Sequence, residues 1–248
     1  MRTVIPNILT LCGFCAGFTS IRFAVEKEWE LAVGVILLAT VFDFLDGFAA
    51  RILKGASQLG AELDSLSDLV CFGVAPAILL YQWTLHEAGW VGWIIALLFC
   101  ICSALRLARF NTQAKDQKDR NSAGKFFRGV PAPGGAAMAL APMYASFQLE
   151  WQAPLAPNVT GILMVLIAFL MISTLPTFSL KKITLREDHI VKSTVIFLAI
   201  ICLVAMSPWA ALLIACFVYT LTIPMSVIKF HRTVSSPYLQ ERASESWK

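Results

Sequence analysis

Four aspartates, Asp43, Asp46, Asp64 and Asp68, lie inside stretches otherwise apolar enough to span a bilayer. An ionised carboxylate at mid-membrane costs about 2.5–3.5 kcal/mol on insertion scales, so such residues face a cavity and have a partner. Asp43 and Asp46 stand at i,i+3 and share one helix face; Asp64 and Asp68, at i,i+4, share another. Between them, Lys54-Gly55-Ala56-Ser57 reads as a chain reversal, with Ser57 the N-cap of the following helix. The two helices are then antiparallel neighbours, and the four carboxylates converge near one membrane face. Close negative charges repel unless cations separate them. A donor set made only of oxygen favours hard divalent ions, Mg²⁺ or Mn²⁺, over Zn²⁺. The chemistry this predicts is a two-metal site that handles phosphate.

Neighbouring residues extend that reading. Gly47 and Gly60 have no side chain, so a bulky ligand can approach the backbone there. Arg51 sits one turn beyond Gly47, where its planar fork can clamp a pyrophosphate. Two other readings account for the carboxylates alone: a buried ion-pair cluster, or the cation pathway of a transporter. Ion coupling by itself would not demand Gly47, Arg51 and Gly60 at these offsets. A covalent phospho-enzyme would need a nucleophile beside the metals, and His86, His189 and His231 are scattered. Direct single displacement is therefore expected.

The elements that must position these groups are membrane helices. Of 248 residues, 58% are hydrophobic and only 15% charged, with mean hydropathy +0.71; a soluble domain typically carries about 25% charge. Each crossing takes roughly 20 apolar residues. Apolar runs predict eight, near 4–24, 31–52, 59–83, 90–110, 131–149, 158–177, 190–206 and 208–229. The first lacks a charged leader and a small-residue cleavage site, and reads as a membrane helix rather than a signal peptide. With the N-terminus in the cytoplasm, all 20 basic residues but Arg22 and Lys27 fall on the cytoplasmic side. Both termini are then cytoplasmic. Trp90, Trp93, Trp151 and Trp209 lie near the outer boundaries, where aromatic belts form. Gly13 and Gly17 form a GxxxG step that predicts a close helix crossing. The seven cysteines sit in apolar stretches without metal-cluster spacing and read as small buried hydrophobes. The segment 112–130 is charged and reads as a solvated loop.

The pattern Asp43-x2-Asp46-Gly47-x2-Ala50-Arg51-x8-Gly60-x3-Asp64-x3-Asp68 resembles, without departure, the signature of the CDP-alcohol phosphotransferases. That resemblance implies metal ligation by all four aspartates: Asp43, Asp46 and Asp64 on one ion, and Asp43, Asp64 and Asp68 on the other. It also makes Asp68 the general base, and gives Gly47, Ala50, Arg51, Ser57 and Gly60 to the CDP-lipid. The opening Pro6-Asn7-Ile8-Leu9-Thr10 is similar to the family's nucleotide-contacting helix start, so Pro6, Asn7 and Thr10 join that set.

Three further stretches resemble the phosphatidylserine synthase branch: Leu105-Arg106-Leu107-Ala108-Arg109-Phe110-Asn111, Phe127-Arg128-Gly129-Val130-Pro131-Ala132-Pro133, and Pro176-Thr177-Phe178-Ser179-Leu180-Lys181-Lys182. The expectation that follows is an all-α integral membrane protein of about eight helices. Its six-helix catalytic core would span residues 1–177, with a two-helix extension and tail over 178–248. CDP-diacylglycerol and L-serine are the implied substrates, membrane lipids the surroundings and a homodimer the assembly, with no nucleic-acid partner. A bacterial inner membrane, with the site facing the cytoplasm, suits this plan. Arg106 and Arg109 lie at i,i+3 on a helix reaching that face. Two readings fit them: a bidentate grip on the acceptor's carboxylate, or snorkelling to lipid headgroups. Asn111 either contacts the acceptor or caps the helix end.

Overall fold

In lipid the backbone must satisfy its own hydrogen bonds, so long apolar runs fold as helices. The structure is a computed structural model that describes residues 3–55, 57–119, 127–128, 130–150, 155–173, 176–177 and 206–234. Helix α1 spans Val4–Val25 and α2 spans Trp29–Ile52. The third, α3, runs over Gln58–Trp83, and α4 over Trp90–Asp119. These four are the helices long and apolar enough to cross a membrane among the described residues, with α4 qualifying over Trp90–Thr112. Their outward faces carry Phe18, Phe44 and Ile101, all more than half exposed; such faces belong against lipid. This is an all-α integral membrane protein.

Helices α1 and α2 pack along their length through small residues, with Ala16, Ala24, Ala32 and Ala39 buried between them. Lipid tails give helices no hydrophobic reason to associate, so close van der Waals approach has to hold them. The GxxxG step does this on the α3 side as well. A β-carbon on Gly13 would meet Phe42 Cβ at 3.4 Å, and one on Gly17 would stand 2.6 Å from Cys71 Sγ and 3.0 Å from Cys71 Cα. The Cys71 thiol donates to the Gly13 carbonyl (3.3 Å). The expected close crossing is therefore present.

Within α3, Leu69–Val74 form a π-helical turn, in which the Ala75 N–H donates to the Val70 carbonyl. Such turns are rare and occur often at functional sites. This one follows directly on Asp68 and places Gly73 against Ser103 of α4, leaving 3.0 Å between Ser103 Oγ and a β-carbon there.

The remainder departs from the sequence expectation in three places. The run 131–149 is not one crossing but two short helices, α5 (Ala132–Ala139) and α6 (Ala141–Gln148), meeting at Leu140. Pro142 has no N–H to continue a ladder and sits in the first turn of α6, where none is needed. Helix α4 continues through Asp119, so residues 112–119 are helical rather than loop. Finally, Phe127–Arg128 pair antiparallel with Pro176–Thr177, which joins two of the stretches noted above into a two-residue ladder. Helices α7 (Pro157–Ile172) and α8 (Pro208–Val234) complete the described bundle, α7 beside α4 and α8 beside α6 and the ladder. The run 190–206 lies outside the described residues up to position 205, as do His189, Cys202 and Lys181 through Lys192.

Candidate active site

The turn between α2 and α3 sets the geometry. Lys54 takes a left-handed φ of 49°, and the Gly55 N–H returns to the Ala50 carbonyl (3.0 Å). Ser57 then caps α3, its Oγ accepting from the Gly60 N–H (3.0 Å), as its residue type predicts. The reversal sets the carboxylates of α2 against those of α3. One oxygen from each of Asp43, Asp64 and Asp68 lies within 4.8 Å of the others, and all three groups are half-buried. The resemblance assigns these three to one ion. Asp46 stands beside them, 5% exposed, with its Oδ2 accepting from Thr10 Oγ1 (2.6 Å).

The donor set fits a hard divalent cation. Every donor atom is a carboxylate oxygen, the groups face one another, and no described cation forms an ion pair with any of them. Three facing negative charges in a bundle of apolar helices need positive charge between them.

Thr10 is engaged with its neighbours in the fold. Its hydroxyl lies 5% exposed between Asp46 and its own Pro6 carbonyl (3.1 Å), and its backbone carbonyl accepts from Ser67 Oγ (3.3 Å). Thr10 therefore ties α1 to Asp46 on α2 and to the α3 turn that carries Asp68. Pro6 is buried, and Asn7 projects Oδ1 toward Gly60, where a β-carbon would come within 2.8 Å of it. The absent side chain at Gly60 is thus filled by Asn7 and Ser57 of the protein itself. Gly47 is different: a β-carbon there meets only Arg51 Nη2, at 3.7 Å. Arg51 is exposed and donates from Nε to the Gly47 carbonyl (2.8 Å), which fixes the start of the guanidinium and leaves its outer nitrogens for a ligand. Ala50 lies half-buried beside it.

The two arginines of α4 divide. Arg106, half-buried, has its guanidinium within electrostatic reach of Asp68. Arg109 turns away and donates from Nη1 to the Ile172 carbonyl (3.2 Å), one of the last carbonyls of α7. A cation there satisfies an orphan acceptor and complements the helix dipole. Asn111 donates from Nδ2 to Ser65 Oγ (2.8 Å), between Asp64 and Asp68 in the chain, so it braces the aspartate-bearing helix. Sequence reasoning did not single out Ser65 or Ser67; the available signal was their place among the aspartates, on a helix too polar to be lipid-facing throughout.

Because Arg109 is engaged with the fold, Arg109→Ala should act on stability. A charge-assisted hydrogen bond contributes about 1.5–3 kcal/mol. Thermal unfolding in detergent should show the midpoint falling by roughly 3–10 °C, with KM for every substrate within twofold of wild type. An unchanged midpoint with a raised acceptor KM would return Arg109 to the site.

Residues 3–173 match the CDP-alcohol phosphatidyltransferase family. Among curated proteins, the chain is 36% identical over 230 residues to a CDP-diacylglycerol–serine O-phosphatidyltransferase of Mycobacterium leprae, covering 90% of this chain and 74% of that protein. A Mycobacterium tuberculosis protein of the same name is 46% identical over 134 residues, which are 54% of this chain and 46% of its own length. A Bacillus subtilis protein, also so named, is 38% identical over 129 residues, covering 52% of this chain and 69% of that one. With a family match over residues 3–173 and the signature on two facing helices, the chain belongs to the CDP-alcohol phosphatidyltransferase family.

Proposed function

We propose that this protein transfers the phosphatidyl group of CDP-diacylglycerol to the hydroxyl of L-serine, forming phosphatidylserine and releasing CMP. The observation that carries the reading is the meeting of Asp43, Asp64 and Asp68 at the Arg51 end of the bundle. The relatives' names supply the acceptor.

Divalent-metal dependence is general in this family. Two ions, Mg²⁺ or Mn²⁺, held by Asp43, Asp46, Asp64 and Asp68, would neutralise the diphosphate and the departing CMP. The protein's own groups do the rest. Asp68 takes the proton of the serine hydroxyl; the serine oxygen bonds to the lipid-side phosphorus as the bond from that phosphorus to CMP breaks. Arg51 holds the diphosphate with the nitrogens left free by its Gly47 contact. Thr10 fixes the Asp46 carboxylate, so the ligand oxygens do not reorganise during the reaction. A site at the cytoplasmic membrane surface, here that of a bacterial inner membrane, lets a soluble acceptor meet a lipid donor. It also limits water as a rival nucleophile. Residues 1–177 act as the catalytic core and 178–248 as an extension, in a homodimer.

The test is CMP release by purified protein in detergent, with CDP-diacylglycerol, Mg²⁺ or Mn²⁺, and serine, glycerol 3-phosphate, inositol phosphate or choline in turn. Release driven by serine alone supports the reading. Release by another alcohol replaces the acceptor, and no release with any acceptor or metal sinks the enzyme and favours a transporter.

The two glycines give a sharper expectation. Gly47→Ala adds a methyl group to open space, so it should leave the thermal midpoint within about 2 °C and raise KM for CDP-diacylglycerol about tenfold or more. Gly60→Ala pushes on Asn7 and Ser57, and should lower the midpoint as well as activity, with overpacking at about 1–3 kcal/mol. Equal midpoints for the two variants would count against this division.

A further inference from the structure

Trp90 and Trp93, boundary aromatics by sequence, stand with Tyr81 and Gly89 around one cavity of about 380 Å³. Pockets for small molecules run from about 300 to 1,000 Å³. The Tyr81 and Trp93 rings meet at 73° with centroids 5.2 Å apart, so they form a corner. Trp90, 82% exposed, supplies a third ring at the open side. A belt anchor has only to be amphipathic; it does not need rings gathered around a cavity.

The hairpin that presents these rings is tightly built. Gly89 takes a φ of 58°, its N–H donating to the His86 carbonyl (3.0 Å) and its carbonyl accepting from the Trp93 N–H (3.3 Å). A β-carbon on Gly92 would collide with the Leu85 carbonyl, so the turn lies hard against the start of α4. The corner is therefore set before any ligand arrives. It is also remote from the aspartates. Asn111 bonds to Ser65 near the other end of α4, and Trp93 lies about 27 Å from Asn111 along that helix. That is most of a hydrocarbon core of roughly 30 Å.

The rings and the charges around them agree on a cation. Aromatic faces are negative, and several around one cavity attract an alkylammonium group by cation–π contacts. The turns closing this membrane face carry Glu28, Glu30 and Glu87 against Lys27 and His86, while Glu26 is paired with Arg22 (2.9 Å). That excess of acid gathers cations and repels anions. At a bilayer boundary the alkylammonium groups at hand are those of phospholipid headgroups.

We propose that Tyr81, Trp90 and Trp93 form a binding site for the alkylammonium headgroup of a phospholipid, on the membrane face opposite the aspartates. The bound lipid ties α3 to α4 at the end away from Asp64 and Asp68. The site is separate from the acceptor chemistry and holds whichever alcohol the protein uses.

The test is binding of phospholipids to the full chain in detergent, counted by native mass spectrometry. Wild type should bind phosphatidylcholine and phosphatidylethanolamine about three- to tenfold more tightly than phosphatidylglycerol of the same acyl chains. Trp90→Leu, at the most exposed ring, keeps an apolar anchor and removes one aromatic face. It should lower that ratio at least twofold with the thermal midpoint within about 2 °C of wild type. Adding Trp93→Leu should bring the ratio close to one, and CMP release should stay within twofold throughout. Tetramethylammonium at the lipid's own concentration should not displace the ammonium lipids; displacement would mean that the site reads a free cation, and overturns the lipid assignment. A wild-type ratio near one, a preference for phosphatidylglycerol, or a ratio that survives the loss of both indoles overturns the proposal. The serine reading stands or falls apart from all of these.

Discussion

Asp68→Asn should lower kcat for CMP release by about 10³-fold or more while leaving the protein folded. A positioned general base contributes about 10²–10⁴-fold, and the loss of a ligand charge adds to that. Asparagine keeps the size of the side chain and can still face the Asp43 carboxylate, an oxygen of which lies within 4.8 Å of one of Asp68. The backbone around it is set by other contacts: Ser67 to the Thr10 carbonyl, Cys71 to the Gly13 carbonyl, and the π turn that begins at Leu69. The fold should therefore persist, with any shift in thermal midpoint set by the lost charge and metal ligand. A magnesium titration separates the two roles of the residue. If Asp68 served only as a ligand, high Mg²⁺ would restore kcat; if it takes the proton, saturation leaves kcat low. A variant within tenfold of wild type at saturating metal would place the base on another residue.

The part of this site legible in the sequence was the part written locally. Spacing alone places Asp43 with Asp46 and Asp64 with Asp68, because residues three and four apart share a helix face. Ser57 before an apolar helix announces its own cap, and glycines four apart announce a close crossing. What could not be read were contacts between segments far apart in the chain. Thr10 reaches Asp46 across 36 positions, and Ser67 reaches Thr10 across 57; no periodicity encodes which polar residue of one helix faces which of another. The same limit applies to Arg106 and Arg109. They share a helix face and a residue type, yet one lies near Asp68 and the other caps α7. Hydropathy also measures composition rather than backbone hydrogen bonding, so it could not see the break at Leu140 or the π turn after Asp68. The carboxylates were conspicuous because lipid penalises them, and the threonine and serines that orient them are cheap to bury and so left no signal.

Removing divalent cations should abolish CMP release and, at the same time, invert the stability order of wild type and Asp43→Asn. Two unit charges 4.8 Å apart repel by roughly 3 kcal/mol at an effective dielectric of about 20. In EDTA, at a pH high enough to ionise all three carboxylates, Asp43→Asn removes one of three facing charges and relieves that repulsion, so its thermal midpoint should lie above wild type by a few degrees. With Mg²⁺ at about 100 times its dissociation constant, the wild-type protein gains about 2.7 kcal/mol from binding. The variant lacks a ligand that two ions are expected to share and gains much less, so the order should reverse. Activity should return to wild type with Mg²⁺ or Mn²⁺, and not with Na⁺ or K⁺ at equal ionic strength. Differential scanning of both proteins with and without chelator, beside the CMP assay, makes the measurement. A midpoint order that stays the same in both buffers would mean that the aspartates are held by partners within the protein, as in a structural ion-pair cluster. A reversed order driven equally by Na⁺ would favour ion coupling over catalysis. Only the divalent-specific reversal, together with the loss of CMP release, is what a metal-assisted transfer requires of three carboxylates set this close in a membrane helix bundle.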